Sequence, residues 1–220
     1  MINRFQFFAH IDKTVTDDNT IKSALKKDRS IVSEFIRNGE IFAVALFECA
    51  DCLYLYAESE ANTVEASVLF PELTGCIKAT DECGWQIMKN VYYTCVPESE
   101  DMWCRKENKT SVGRIGKIVD GKVDSYIYYH EKIMEEGLFE GDKYLCIGLD
   151  GNTLFLYSET PVYPVHLKSE CSDQSVVIEE WRQQNPRAHF DHNFAGKNNF
   201  LESDLLFSVR KEDFKNEQYI

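Results

Sequence analysis

Tyr126 and His130 are the side chains whose types and spacing could do chemistry. They stand four residues apart in Tyr126-Ile-Tyr-Tyr-His130, so on a helix both project from one face. That face is the apolar one. A phenol and an imidazole turned together toward a sheet can hold a ligand by hydrogen bonds. An imidazole also titrates near neutrality, as proton transfer requires. The same spacing suits two core residues with satisfied polar tips, and spacing alone leaves both readings open. Cys49-Ala-Asp-Cys52 is a CxxC, a pattern that can bind zinc or do thiol chemistry. It falls in an expected hairpin turn, and no second CxxC completes a zinc site. Cys76 and Cys83 are too widely spaced to form an obvious partner pair. His189-Phe-Asp-His192 offers two imidazoles and a carboxylate that could ligate a metal. It follows Asn185-Pro186-Arg187, which reads as a solvated loop.

The elements that would position these residues repeat along the chain. Leu53-Tyr-Leu-Tyr-Ala-Glu58 recurs as Leu154-Phe-Leu-Tyr-Ser-Glu159, a displacement of 101 positions. Each copy follows an apolar stretch, Ile41 to Leu46 or Tyr144 to Leu149, and a short turn. Asp150-Gly151 between apolar runs is a hairpin signal. A helix is expected upstream of each hairpin. Val123, Tyr126, Ile127, His130, Ile133 and Met134 recur at helical spacing, with Asp120 or Asp124 to cap the start and Gly137 to end it. Ile21, Ala24, Leu25, Ile31, Val32, Phe35 and Ile36 do the same in the first copy, closed by Asn38-Gly39. Strands are expected upstream, near Arg4 to Ile11 and Arg114 to Val119. Downstream, each copy should hold a helical segment with a tryptophan, Trp85 or Trp181, then a strand near Asp101 to Arg105 or Asp204 to Arg210. The expected fold class is α+β: two tandem ferredoxin-like βαββαβ units, packed as an intramolecular dimeric α/β barrel. The expected domains are 1–106, a degenerate repeat acting as structural partner, and 112–220, the repeat with the candidate site. The polar run Glu107-Asn-Lys-Thr110 reads as the linker.

Composition bounds the function. The chain has 220 residues, 44% hydrophobic and 13% aromatic, enough for real cores. A formal charge of −13 opposes binding to nucleic acid or to anionic lipid. No apolar run has membrane-spanning length, and Met1 to His10 lacks a signal-peptide pattern. The expectation is a cytoplasmic protein whose eight cysteines are thiols.

Arg114 on a strand, Tyr126-x-x-x-His130 on a helix, Leu154-Phe-Leu-Tyr-Ser-Glu159 on a hairpin and a following Trp181 resemble, in order and spacing, the L-rhamnose mutarotase family. The resemblance covers most of residues 112–210 and extends weakly to the first copy. It implies a cofactor-free isomerase that interconverts the anomers of a monosaccharide by ring opening and reclosure. His130 would be the proton donor and Tyr126 a sugar-binding partner, with Tyr144 and Trp181 as further substrate contacts. The family has adjacent tryptophans where this chain has Glu180-Trp181. At the displacement of 101, Leu25 and Arg29 stand where Tyr126 and His130 stand, and the first helix has no tyrosine–histidine pair. One site is therefore expected, with Tyr56 or Trp85 as residues the first half could lend. The expected partner is a monosaccharide, with no metal and no redox cofactor, and the chain a monomeric pseudo-dimer or weak homo-oligomer. A non-catalytic carbohydrate-binding or small-molecule-binding protein is the second reading. A ferredoxin-like monooxygenase or haem-degrading protein is the third.

Overall fold

The computed structural model describes residues 1–80, 84–105, 109–137, 139–162, 165–167 and 175–214. In chain order the elements are β1 (Asn3–His10), α1 (Asp18–Arg37), β2 (Ala43–Cys49), β3 (Cys52–Ser59), α2 (Ala66–Leu69), α3 (Pro71–Thr80), β4 (Gln86–Ile87), β5 (Lys89–Tyr93) and α4 (Glu100–Trp103). Then come β6 (Thr110–Lys117), α5 (Val123–Glu136), β7 (Phe139–Glu140), β8 (Cys146–Asp150), β9 (Thr153–Thr160), β10 (His166–Leu167) and α6 (Val176–Gln183). A 3₁₀ turn (Pro186–His189), α7 (His192–Ala195), β11 (Leu201–Glu202), β12 (Asp204–Arg210) and a 3₁₀ turn (Lys211–Phe214) complete the chain. The class is α+β. No helix among the described residues is long and apolar enough to cross a membrane.

The chain forms two compact units that are not consecutive stretches. The first comprises Met1–Met88, Pro97–Asn108 and Asp204–Ile220; the second comprises Lys89–Val96 and Lys109–Ser203. The division at 1–106 and 112–220 therefore needs correction at both closing strands. Asp204–Arg210 is a strand, as expected, but β12 pairs with β2 of the first unit. Lys89–Tyr93 gives β5, which pairs with β8 of the second unit.

The first unit is an antiparallel sheet in the order β12-β2-β3-β1-β4. Alternation sends Phe5, Phe7 and Ala9 of β1 and Leu53, Leu55 and Ala57 of β3 to one face. There they pack with Ile21, Ala24, Leu25, Val32 and Ile36 of α1, and with Leu73 and Ile77 of α3. Asp17 caps α1, accepting from the Thr20 N–H at 2.8 Å. Asp28, midway along α1, is fully buried. Its carboxylate accepts from the Glu72 and Leu73 N–H groups at 3.0 and 2.9 Å, so α1 caps α3 from outside that helix. The opposite sheet face carries a buried polar group. Arg105 donates to both oxygens of Glu58, at 2.7 and 3.0 Å, and the Tyr56 hydroxyl donates to Glu58 at 2.7 Å.

The second unit repeats the arrangement, β11-β6-β9-β8-β5. Ile147 and Leu149 of β8 and Leu154 and Leu156 of β9 pack with Tyr126 of α5, Ile118 and Phe190. On the other face the Tyr157 hydroxyl donates to Glu159 at 2.7 Å, with Ser111 Oγ 3.2 Å from it. β7 and β10 form a separate two-stranded ribbon.

Other expectations also change. Residues near Asp101 to Arg105 form α4, not a strand. Ser99 caps it by accepting from the Met102 N–H at 3.2 Å, with Glu100 and Asp101 in its first turn. Trp85 is not helical; it precedes β4 and donates its indole N–H to Thr74 at 3.0 Å. α5 starts after Lys122 without a side-chain cap, so neither Asp120 nor Asp124 fills that place. Gly137 ends α5 in the left-handed conformation, φ 61°, as expected. Part of the expected linker, 106–108, lies outside the described residues, as does Cys83.

Candidate functional site

Three of the four expected site residues come together in the second unit. Helical spacing turns Tyr126 and His130 to the sheet side of α5, where their rings stack at 3.9 Å between centroids. Trp181 of α6 meets them edge-on, 6.1 Å from Tyr126 and 5.2 Å from His130. Ser175 positions α6 by accepting from the Ile178 N–H at 3.1 Å. Trp181 also lies 5.2 Å from Tyr129 and 4.6 Å from His189. Tyr129 in turn contacts Tyr128, which is half exposed. The result is an aromatic ladder running from the core at Tyr126 to the surface at Tyr128.

Tyr144 is placed elsewhere. The strand begins two residues later than expected, so Tyr144 precedes β8 and is buried with Lys143 over its ring at 4.9 Å. Its N–H donates to Asp142 at 2.9 Å. It belongs to neither the Tyr126 core cluster nor the ladder described above. Arg114 sits within β6 opposite Leu156, near Glu202 at 3.5 Å.

The electrostatics of the pair follow from burial. Tyr126 is 1% exposed, and burial, with Tyr92 nearby, raises the pKa of its hydroxyl well above the ordinary value. Burial drives His130 down to about 4, against the opposing effect of its hydrogen bond to the Tyr126 carbonyl. At neutral pH His130 is therefore a neutral imidazole. Its Nδ1 lies 2.8 Å from that carbonyl, which can only accept, so Nδ1 carries the proton and Nε2 is an acceptor.

Sequence reading missed His189 as part of this site. Its ring is fully buried beside Trp181, with Nε2 2.9 Å from Ser125 Oγ. The signal was an imidazole on a 3₁₀ turn opened by Pro186, obscured by the polar residues around it. His192 turns away to the backbone oxygens of Arg187 and Gly196 at 3.1 Å. The two histidines do not converge, and among the described residues no group of three or more His, Cys, Asp or Glu could hold a metal. A cavity of about 170 Å³ opens beside α5, lined by Tyr92, Tyr93, Thr94, Ile133, Met134 and Phe139 among others. Tyr92 also meets His130 edge-on at 5.4 Å, yet neither Tyr126 nor His130 lines the cavity.

No protein-family model matches the chain, and no curated protein matches it. Among solved structures it is similar to a "putative monooxygenase" from Fusobacterium nucleatum, at TM-score 0.46 and 12% identity over 96% of this chain and 94% of that one. A "putative monooxygenase" from Lactobacillus acidophilus gives TM-score 0.45 and 8% identity over 94% and 96%. An "anthrone oxidase-like protein" gives TM-score 0.32 and 9% identity over 96% and 93%. Likenesses of this size assign no activity to the chain.

Proposed function

We propose that the second unit binds a small, uncharged ring-shaped molecule such as a monosaccharide, without catalysing its conversion. The observation that carries this reading is the ladder at Trp181. A half-buried indole beside Tyr129 and the half-exposed Tyr128 offers aromatic faces to a ligand. The C–H groups of a pyranose face carry partial positive charge and suit the negative face of such rings. Beneath it, a fully buried Tyr126 stacks on a partly buried, uncharged His130, which fits a rigid support for Trp181. The mutarotase reading needs a group that donates a proton to the ring oxygen near neutrality, and a neutral His130 with an acceptor Nε2 does not supply one. The near-identical strand orders and the repeated Tyr-x-Glu pairs support descent of both units from one duplicated unit.

NMR on rhamnose, fucose and related pyranoses separates the readings in one sample. Binding predicts saturable broadening of sugar resonances, lost in Trp181→Ala, with anomer exchange at the buffer rate. Exchange faster than buffer would reinstate a mutarotase. Absence of saturable binding across the panel removes the carbohydrate reading.

A further inference from the structure

The CxxC of the first unit is not an isolated motif in the fold. The β2–β3 hairpin turns through Ala50-Asp51, so Cys49 and Cys52 are direct cross-strand partners. On the other side of β3, Cys52 is the direct partner of His10 at the end of β1. Directly paired residues project from the same face of a sheet. Cys49, Cys52 and His10 therefore form one row across three adjacent strands. Alternation along β3 puts this row on the face of Tyr54 and Tyr56, away from the helices. Both cysteines are thiols of intermediate exposure and His10 is exposed, so a small solute can reach the row. Cross-strand partners have Cα atoms about 4.5–5.5 Å apart, within the range a disulfide spans.

We propose that His10, Cys52 and Cys49 form a peroxide-oxidised dithiol site, with Cys52 as the attacking sulfur, His10 as its base and Cys49 as the resolving thiol. In the first step His10 accepts the Cys52 thiol proton. The thiolate attacks a hydroperoxide, ROOH; an S–O bond forms and the O–O bond breaks. The leaving alkoxide takes the proton back from His10 and departs as ROH. In the second step Cys49 attacks the sulfenic sulfur. The S–S bond forms, the S–O bond breaks, and hydroxide leaves with the Cys49 proton as water. Two thiols are oxidised to a disulfide and one hydroperoxide is reduced to ROH and water.

The surroundings fit this division of labour. Burial, followed by Asp204 and Glu48, pushes the Cys49 thiol up, which keeps it protonated and makes it the poorer first attacker. Asp12, Glu48, Asp51 and Asp204 lie at this end of the sheet, with Lys13 paired to Glu48, which leaves the acid groups in excess. They disfavour anionic oxidants such as glutathione disulfide and leave neutral hydroperoxides as the suitable class.

The test uses the whole chain, freed of reductant, and hydrogen peroxide at a small molar excess. Peptide mapping without reduction should show a Cys49–Cys52 bond that dithiothreitol reverses. In Cys49→Ser, dimedone should label Cys52 as sulfenic acid. His10→Gln should slow oxidation of Cys52 several-fold while leaving Cys95 and Cys104 unchanged, a selectivity that general loosening of the fold would not give. The proposal is overturned if peroxide oxidises Cys95 or Cys104 before the pair, or if dimedone finds Cys49 and not Cys52. Equal rates in wild type and His10→Gln would remove the histidine from the site.

Discussion

At the residue scale, burial decides what His130 can do. Its pKa falls to about 4 in the folded chain from an ordinary value near 6.5. A histidine with a lowered folded pKa binds protons more readily when unfolded. Stability is therefore full above the unfolded value and is lost as pH falls from about 6.5 toward 4. The linkage amounts to about 2 kcal/mol by pH 5. Urea unfolding of wild type and His130→Gln at pH 7 and pH 5 measures it. The wild type should lose about 2 kcal/mol more than the variant, and equal losses would mean that His130 is solvated. Arg105 presents the opposite case. Burial alone would raise the Glu58 carboxyl, but Arg105 and Tyr56 outweigh it and hold the group below its usual range. Both side chains of the ion pair are almost wholly buried. Arg105→Met should cost about 3–5 kcal/mol, because it leaves a buried charge unpaired. Arg105→Met with Glu58→Gln should recover much of that loss in the same denaturation assay.

At the element scale, the two hairpins make an internal comparison. Each turns with a positive φ at its first turn residue, 53° at Ala50 and 55° at Gly151. Glycine adopts that conformation without strain, whereas alanine pays about 1 kcal/mol or more for its Cβ. Ala50→Gly should therefore stabilise the first unit, by up to about 1 kcal/mol after glycine's greater unfolded-state freedom is offset. An unchanged or lowered melting temperature would count against it. The cap from Asp28 is a harder constraint. Asp28→Ala strands two backbone N–H groups and should cost about 2–4 kcal/mol, seen as a lower urea midpoint. These elements also show what could be read from sequence. Both long helices were legible from apolar spacing, the second hairpin from its Asp150-Gly151 turn, and the first from the repeat of Leu53–Glu58 at Leu154–Glu159. α4 was not, because four residues carry too little periodicity, and its Ser99 cap was masked by the short apolar run around Trp103. The Asp28 cap joins residues 44 and 45 positions apart, and no local pattern announces such a bond. Tyr144 was misplaced for a related reason: a strand start is uncertain by a residue or two, and that shift moves a side chain to new neighbours.

At the scale of the whole chain, the closing strands carry the lesson that a consecutive division hides. The repeated hairpins showed that there are two units, but hydrophobic alternation in Asp204–Arg210 cannot say which sheet it joins. The register answers it. β12 lies along β2 from Glu48 to Ala43, and Phe207 and Val209 enter the first unit's core. The folding of residues 1–88 thus depends on the far end of the chain, a long-range pairing whose loop must close before it stabilises anything. A chain ending at Ser203 should leave the outer edge of β2 unpaired and remove two apolar side chains from that core. Hydrogen exchange should show the β2 amides that face β12 losing most of their protection. β8, whose outer partner β5 is retained, should keep its own. Restoring the missing strand as a peptide covering 203–214 should restore protection in β2 alone. Equal loss in β2 and β8 would show that truncation unfolds both sheets together; no loss in either would show that β12 contributes little to the sheet it completes.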